Sequence, residues 1–384
     1  MKPRVLHVIT VYNGRSFVPR AIKSAMQMDQ TTADVDVLVL DDASPEPGWS
    51  DELQVLCKNL GAHYYLTPRN LGIPRNVSLG LLTAIEKNYD FVTINNSDVI
   101  FPKNLINSLI ECCKQENVGS VTAWSNNVSI YSVPNSDPDL FLSSQETVDS
   151  VSEMLADKYS STIIDIPAGI SFCIMMPVEV VKHVGVMDPI FGRGYCEETD
   201  WSLRSLKMGY RVCLAPGTFV YHMGRGSNLA AGLVSGAHST VPENETIIDM
   251  RYPDFRKQVS DFQSTGEMEL LKTNAIEHLI DEAAAKFGYA LVPEWVRPAS
   301  DVELPPVKIE ISTSSSPPSL KFSYAGFQQI WHIDNGSIIS KAVERFGLQS
   351  LVYNGFGSVL LKDGKSKTAS NAEGFTSPYP SSVW

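Results

Sequence analysis

The sequence predicts an α/β protein, with a mixed, mainly parallel sheet carrying helices on both faces and a smaller C-terminal α+β extension. Three observations predict it. Short apolar runs alternate with segments of helical spacing through the first half of the chain. Those runs are nearly continuous in Val, Ile and Leu, as strands covered on both faces are. Each run ends in polar residues, which lines the carboxyl edge of the sheet with ligand-binding groups.

The elements follow in order. Val5 to Val11 reads as a buried strand, and Phe17 to Met28 as a helix with Val18, Ile22, Ala25 and Met26 on one face. Val35 to Leu40 is a second strand, Asp51 to Leu60 a helix, His63 to Leu66 a short strand and Ile73 to Ile85 a helix. Phe91 to Ile94 is a strand, Asn104 to Lys114 a helix and Ser120 to Trp124 a strand. Pro134 to Ser144 reads as loop and Gln145 to Lys158 as helix. Gly169 to Met176 reads as a strand, Val178 to Val184 as a short helix and Trp201 to Met208 as an amphipathic helix. Arg211 to Leu214 and Thr218 to His222 read as two short strands. Gly224 to Glu245 is rich in small and polar residues and reads as a long loop, a candidate lid.

Glu267 to Lys286 is a helix, and Arg297 to Leu320, rich in Pro and Ser, reads as a linker or extended crossing. Lys321 to Lys362 carries short strand-like runs with a helix near Ile338 to Phe346; Asp363-Gly364 signals a hairpin, and Ser366 to Trp384 reads as a poorly ordered tail. The expected divisions are therefore 1–228, 229–300 and 301–384. Aromatics of the last region, among them Phe322, Tyr324, Phe327, Trp331, Tyr353 and Phe356, form either a small apolar core or a sugar-stacking surface.

Bulk properties narrow the function. The chain has 384 residues, 19% of them charged, and a net charge of −12, which argues against nucleic acid as the main partner. A local basic patch around Arg69, Arg75, Arg193, Arg204 and Arg225 stays compatible with phosphate. Cys57, Cys112, Cys113, Cys173, Cys196 and Cys213 match neither a zinc pattern nor a compact disulfide framework, so reduced thiols are expected. No secretory signal opens the chain and no apolar run is long enough to span a bilayer. The expected location is cytoplasmic, with a peripheral membrane partner or a homo-oligomer left open.

Five polar constellations follow apolar runs. Thr10-Val11-Tyr12-Asn13-Gly14 ends the first strand and either touches a nucleotide base or simply turns the chain. Asp41-Asp42-Ala43-Ser44 ends the second; its carboxylates can accept from a base N–H or a ribose hydroxyl, or cap the next helix. Arg69-Asn70-Leu71-Gly72-Ile73-Pro74-Arg75-Asn76 enters a helix, and Arg75 beside a helix N-terminus suits a diphosphate, or is a surface arginine. Asn95-Asn96-Ser97-Asp98 follows another strand, and a carboxylate there suits a hard divalent cation. Last, the glycine-rich Phe191-Gly192-Arg193-Gly194 precedes Glu197-Glu198-Thr199-Asp200, three carboxylates in four residues, with His222 about twenty residues on. A carboxylate there can take a proton from a substrate hydroxyl, and His222 can complete a metal site. A solvated acidic helix start and a structural histidine are the competing readings.

The order and spacing of these sites resemble the family 2 glycosyltransferases of the GT-A fold, a Rossmann-like α/β architecture. The residues that carry the likeness run from Val5 to about Ser227. Besides the five constellations they include Ala168-Gly169, Val184-Gly185, Met187-Asp188, Gly209-Tyr210 and Gly226-Ser227. The resemblance implies an inverting, hexosyltransferase-like enzyme that uses a nucleotide diphosphate sugar of UDP or dTDP type, a divalent cation (Mn2+ or Mg2+) and a glycan, metabolite or other hydroxyl acceptor. It implies that Thr10, Val11, Tyr12, Asn13, Asp41, Asp42, Asn70, Gly72, Arg75, Asn96, Ser97, Gly169 and Arg204 surround the nucleotide sugar. Asp98 and His222 would hold the metal. Glu198 would be the base, with Asp200 and Glu197 as alternates. Two departures stand out: Asn96 replaces the first acid of the Asp-x-Asp motif, and the base is Glu where Asp is commoner. A catalytically degenerate sugar-nucleotide or glycan-binding protein is the second reading.

Overall fold

The computed structural model describes residues 2–134, 144–224, 234–235, 238–239, 241–293, 306–312, 315–333, 341–342, 344–346 and 360–361. They fall into two compact units, Met1–Glu269 and Leu270–Trp384.

The first unit opens with β1 (Arg4–Val11), α1 (Val18–Ala25), β2 (Asp34–Asp41), α2 (Trp49–Leu60), β3 (His63–Leu66), α3 (Ile73–Glu86) and β4 (Phe91–Asn95). It continues with β5 (Val99–Ile100), α4 (Leu105–Cys113), β6 (Val118–Trp124), α5 (Gln145–Tyr159), β7 (Ile164–Asp165), β8 (Cys173–Pro177), α6 (Val178–Val184), α7 (Glu197–Lys207), β9 (Arg211–Phe219) and β10 (Tyr221–His222). Two short strands, β11 (Val234–Ser235) and β12 (His238–Ser239), and two helices, α8 (Val241–Arg251) and α9 (Phe255–Ser264), follow.

Eight strands form one sheet in the order β3-β2-β1-β4-β8-β6-β9-β7. The pairs β2–β3, β1–β2, β1–β4 and β6–β9 are parallel, while β8 runs antiparallel between β4 and β6. The apolar runs are buried as expected. On one face Leu6, Val8, Leu38, Val92 and Ile94 pack with Val77 and Leu81 of α3, Val181 of α6 and Trp201 of α7. The helix comes close enough that a Cβ on Gly80 would stand 2.9 Å from the Val8 side chain. Helices α1, α4 and α5 cover the other face. With β1, β4 and β6 pointing the same way, the ends of β2, β1, β4, β6 and β9 and the start of β8 share one edge.

Several boundaries differ from the sequence reading. The run from Gly169 becomes a strand only at Cys173, and β9 is one strand through Pro216-Gly217, not two. Helix α7 starts at Glu197, four residues before its first large apolar side chain, because carboxylates suit the first turn of a helix. α8 begins inside the segment read as loop, and α8 and α9 were not anticipated; both are polar helices with few buried residues. Residues 225–233, 236–237 and 240 of the candidate lid lie outside the described residues.

The second unit holds most of α10 (Glu267–Phe287) and a five-stranded sheet of β13 (Tyr289–Pro293), β14 (Val307–Ser312), β15 (Ser319–Tyr324), β16 (Phe327–His332) and β17 (Leu360–Leu361). β14 lies in the stretch read as a linker, where Val307 and Ile309 are buried while Lys308 between them is exposed. Phe322 and Phe327 are buried, and Arg345 stacks against Phe322, Trp331 and Phe346, so the described aromatics build a core. Tyr353, Phe356, the hairpin signal and the tail lie outside the described residues. The six cysteines are free thiols. Among the described residues no helix is long and apolar enough to cross a membrane.

Candidate active site

Three strand ends meet where the sequence places its polar constellations. Val11 pairs with Asp41 across β1–β2, and Ile9 with Asn95 across β1–β4. Thr10 donates to the Asn95 carbonyl (3.3 Å), and Val11 is buried. Tyr12 and Asn13 are partly exposed; Asn13 takes a positive φ of 59° and its Oδ1 accepts from the Glu46 amide.

The two aspartates at the end of β2 accept hydrogen bonds from the turns around them. Asp41 accepts from the Ser44 amide (3.0 Å), the hydroxyls of Ser44 and Ser50 (2.6 Å each) and Tyr64 (2.9 Å). Asp42 accepts from the Leu71 amide (2.7 Å), the Gly72 amide (2.9 Å) and the Thr67 hydroxyl (3.1 Å). Burial raises the Asp42 pKa, against the lowering by those donors. Their combined effect is to fix the turn from Thr67 to Gly72, with Asn70 Oδ1 also accepting from the Gly72 amide.

Gly72 opens α3 with a φ of 80°, and a Cβ there would strike the Gly192 carbonyl. That close approach joins the α3 N-terminus to the glycine-rich turn before α7; the Ile73 amide donates to the Arg193 carbonyl (3.2 Å). Arg75 stands exposed on the first turn of α3, and Arg69 and Arg193 are exposed as well. Arg225 lies outside the described residues.

Beyond β4, Asn96 hangs by its amide on the Phe172 carbonyl (2.9 Å), and Ser97 and Asp98 are buried. β10 pairs with β5 so that His222 stands opposite Val99. This brings His222 Nε2 to 3.2 Å from Asp98 Oδ1 and 3.3 Å from Asn96 Nδ2. Nδ1 lies 2.8 Å from the Asn127 carbonyl, which requires Nδ1 to carry the proton and turns Nε2 toward Asp98. Asn126 grips the His222 backbone from both sides, and Phe172 stacks on the ring at 5.2 Å. Burial alone would lower the His222 pKa, but the Asp98 charge and the two hydrogen bonds outweigh it and leave it raised. An imidazole nitrogen and a carboxylate oxygen converging this way suit a divalent cation, with the ring oriented by the backbone carbonyl behind it. Among the described residues no group of three His, Cys, Asp or Glu side chains forms a fuller cage.

The second centre is the start of α7. Tyr195 and Cys196 both adopt the left-handed region, at φ of 73° and 72°, without being glycine. Such conformations cost on the order of 1–3 kcal/mol each and mark functional turns. Asn244 of α8 pins this turn, its amide reaching the carbonyls of Phe191 (3.1 Å), Gly194 (2.7 Å) and Tyr195 (2.9 Å). Glu197 is buried and Glu198 half-buried, and one carboxylate oxygen of each has no hydrogen-bond partner. Burial, then the neighbouring Glu198 charge, pushes the Glu197 pKa well above the carboxylate range; burial raises Glu198, while a hydrogen bond from Glu197 lowers it. The two carboxyls therefore resist carrying charge together.

Asp200 and Arg204 do not join them. Asp200 is fully buried and accepts from Arg204 Nε (2.9 Å), Arg251 (2.8 Å) and the Tyr252 hydroxyl (2.9 Å). Arg204 also donates to the carbonyls of Val184 (2.6 Å) and Val186 (2.9 Å). The pair staples α7 to α6 and α8. Gly169 lies against the same helix, its amide donating to Ser202 Oγ (3.0 Å), which donates on to the Glu198 carbonyl (2.7 Å). Sequence reasoning missed Asn126, Asn127 and Asn244; the first two directly follow an apolar strand, the signal that found the others.

Residues 7–184 match the model of glycosyl transferase family 2. The resemblance expected from the sequence is thus found over those residues. No curated protein matches the chain in sequence. Among solved structures, GalNAc-T7 with UDP, GalNAc and Mn2+ is similar at a TM-score of 0.51 and 12% identity, over 86% of this chain and 67% of that one. A mannosyltransferase from Pyrobaculum calidifontis, PcManGT, in complex with GDP-Man and Mn2+, aligns at a TM-score of 0.45 and 14% identity, over 74% and 76%. The fold is GT-A.

Proposed function

We propose that the chain is a glycosyltransferase. It would move a sugar from a nucleotide diphosphate sugar of UDP or dTDP type to an acceptor hydroxyl, with inversion. The observation that carries this reading is the pair of centres at one end of a GT-A sheet: Asp98 with His222, and Glu197 with Glu198. The family match over residues 7–184 supports it.

Asp98 and His222 would hold Mn2+ or Mg2+, which when bound supplies positive charge against the diphosphate. Arg75, exposed beside the α3 N-terminus, adds a second cation for the same phosphates. The strand ends around Thr10, Tyr12, Asn13 and the turn fixed by Asp42 shape the floor on which the nucleotide lies. Glu198 takes the proton of the acceptor hydroxyl as that oxygen bonds to the anomeric carbon. The bond from that carbon to the diphosphate oxygen breaks, and its electron pair leaves with the nucleotide. Attack from the face opposite the diphosphate inverts the centre. Burial and the closeness of Glu197 to Glu198 oppose a second negative charge on the pair, which makes the pair a proton acceptor for one hydroxyl.

One observation favours a second reading, a sugar-nucleotide-binding protein without turnover. Asn96 replaces an acid, and only two candidate metal ligands converge among the described residues. A panel of UDP-, dTDP- and GDP-sugars, each with and without Mn2+, separates the two by thermal shift and sugar release. Metal-dependent stabilisation with slow hydrolysis is expected; stabilisation without sugar release, even with acceptors supplied, establishes the second reading.

A further inference from the structure

A cavity of about 520 Å3 lies between the start of α7 and the helices α8 and α9, a volume in the range of small-molecule sites. Cys196 and Thr199, which flank the glutamate pair in the chain, form one wall. Ser129 also lines it, two residues beyond Asn127, whose carbonyl orients His222. The cavity thus borders both loops that carry the chemistry. Its opposite wall comes from α8 and α9, which lie beyond the residues 7–184 matched by the family. The Asn244 clamp fixes that wall to the turn bearing the glutamates.

The lining defines what fits. Arg256 is the single cation in it, and it is engaged by Asp249 (2.7 and 2.9 Å) and Glu245 (3.3 Å). Two carboxylates against one paired guanidinium leave a surplus negative charge, which opposes a phosphate or carboxylate ligand. Thr199, Ser260 and Gln263 offer hydroxyl and amide groups, while Ile248, Phe255 and Val259 offer apolar surface. That mixture matches a sugar ring, with hydroxyls at its edge and C–H bonds on its face. Burial, and then the neighbouring Glu198, Glu197 and Glu245, push the Cys196 thiol up to about 12.

We propose that this cavity is the acceptor site and that its occupant is a neutral saccharide, which presents a hydroxyl to Glu198. The assignment of that hydroxyl to Glu198 rests on the glycosyl-transfer reading above. Saturation-transfer NMR on the full chain tests it with cellobiose, lactose, maltose and chitobiose, and with a glucuronate-containing disaccharide as the anionic probe. Ser260 is exposed on α9, so Ser260→Trp fills the cavity mouth without disturbing a core. At least one neutral disaccharide should bind the wild type, lose tenfold or more in affinity in Ser260→Trp, and lose less in Ser260→Ala, which removes one hydroxyl and fills no space. Undiminished binding in Ser260→Trp, preference for the anionic probe, or no neutral binding overturns the proposal. Mn2+-dependent binding of UDP, dTDP and GDP-sugars to the wild type is measured separately. Its absence overturns the transferase reading and leaves the saccharide result to judge the cavity alone.

Discussion

Two adjacent acid pairs sit on the first unit, and they are built in opposite ways. Asp41 and Asp42 at the end of β2 accept hydrogen bonds from Ser44, Ser50, Tyr64, Thr67, Leu71 and Gly72. Glu197 at the start of α7 is as buried and Glu198 partly so, yet each leaves a carboxylate oxygen without a partner. The first pair is satisfied by its surroundings and holds two turns in place. The second is held by a strained turn, with Tyr195 and Cys196 in left-handed conformations, and has unmet bonding capacity directed at nothing the protein supplies. Buried polar groups in native proteins are normally satisfied, so an orphan at the mouth of a helix indicates a partner from outside. Adjacent carboxylates therefore do not by themselves indicate chemistry; their hydrogen-bond accounting does.

The largest expected difference between the pairs is in turnover. Glu198→Gln should lower kcat by about 10²–10⁴-fold, the usual contribution of a general base, with nucleotide affinity unchanged. Steady-state transfer or donor hydrolysis reads it, and wild-type kcat in that variant would remove Glu198 from the base role. Asp41→Ala should do the reverse. It leaves the Ser44 amide and three hydroxyls without their acceptor inside the protein, at a cost on the order of 3 kcal/mol. Denaturant unfolding reads that loss; an unchanged midpoint would mean water replaces the carboxylate, and the turn is not held as described.

Asp98→Ala comes next. Removing an anionic ligand should weaken Mn2+-dependent nucleotide binding at least tenfold, about 1.4 kcal/mol, while binding without metal changes little. Calorimetry with and without Mn2+ checks both arms. Equal losses in the two arms would show that Asp98 contributes through folding of the β4–β5 turn and not through the cation.

Most of this geometry was legible in the sequence where one physical rule dominated. Continuous apolar runs gave β1, β2, β4 and β6, because strands buried on both faces leave little room for polar residues. The polar residues after them fell on the edge that forms the site. What the sequence left open was the set of partners within the acidic helix start. Successive helical residues turn by about 100°, so Asp200, two and three positions past the glutamates, points into a network with Arg204, Arg251 and Tyr252. Spacing in the chain cannot reveal that, because Arg251 and Tyr252 lie about fifty residues on. Nor could it show the left-handed Tyr195 and Cys196, for neither is glycine. α8 and α9 stayed hidden since each buries little, and β14 since Pro and Ser on both sides masked a short alternation.

The smallest effect separates the two glutamates from each other. Glu197 has a pKa raised well above the carboxylate range, chiefly by burial and then by the Glu198 charge. A carboxyl whose folded pKa is raised stabilises the protein below its unfolded value, about 4.3, and loses that contribution as pH rises through the folded value. Glutamine carries no such penalty and still offers an N–H to Glu198. Glu197→Gln should therefore melt with the wild type near pH 4 and above it at pH 7–8, by on the order of 2–4 °C per kcal/mol relieved. It should also keep most of the turnover that Glu198→Gln destroys. Thermal melts across pH, run beside the kinetics, decide the matter. A Glu197→Gln variant that is no more stable at pH 8 and loses turnover by decades would exchange the two roles, making Glu197 the base and Glu198 its support.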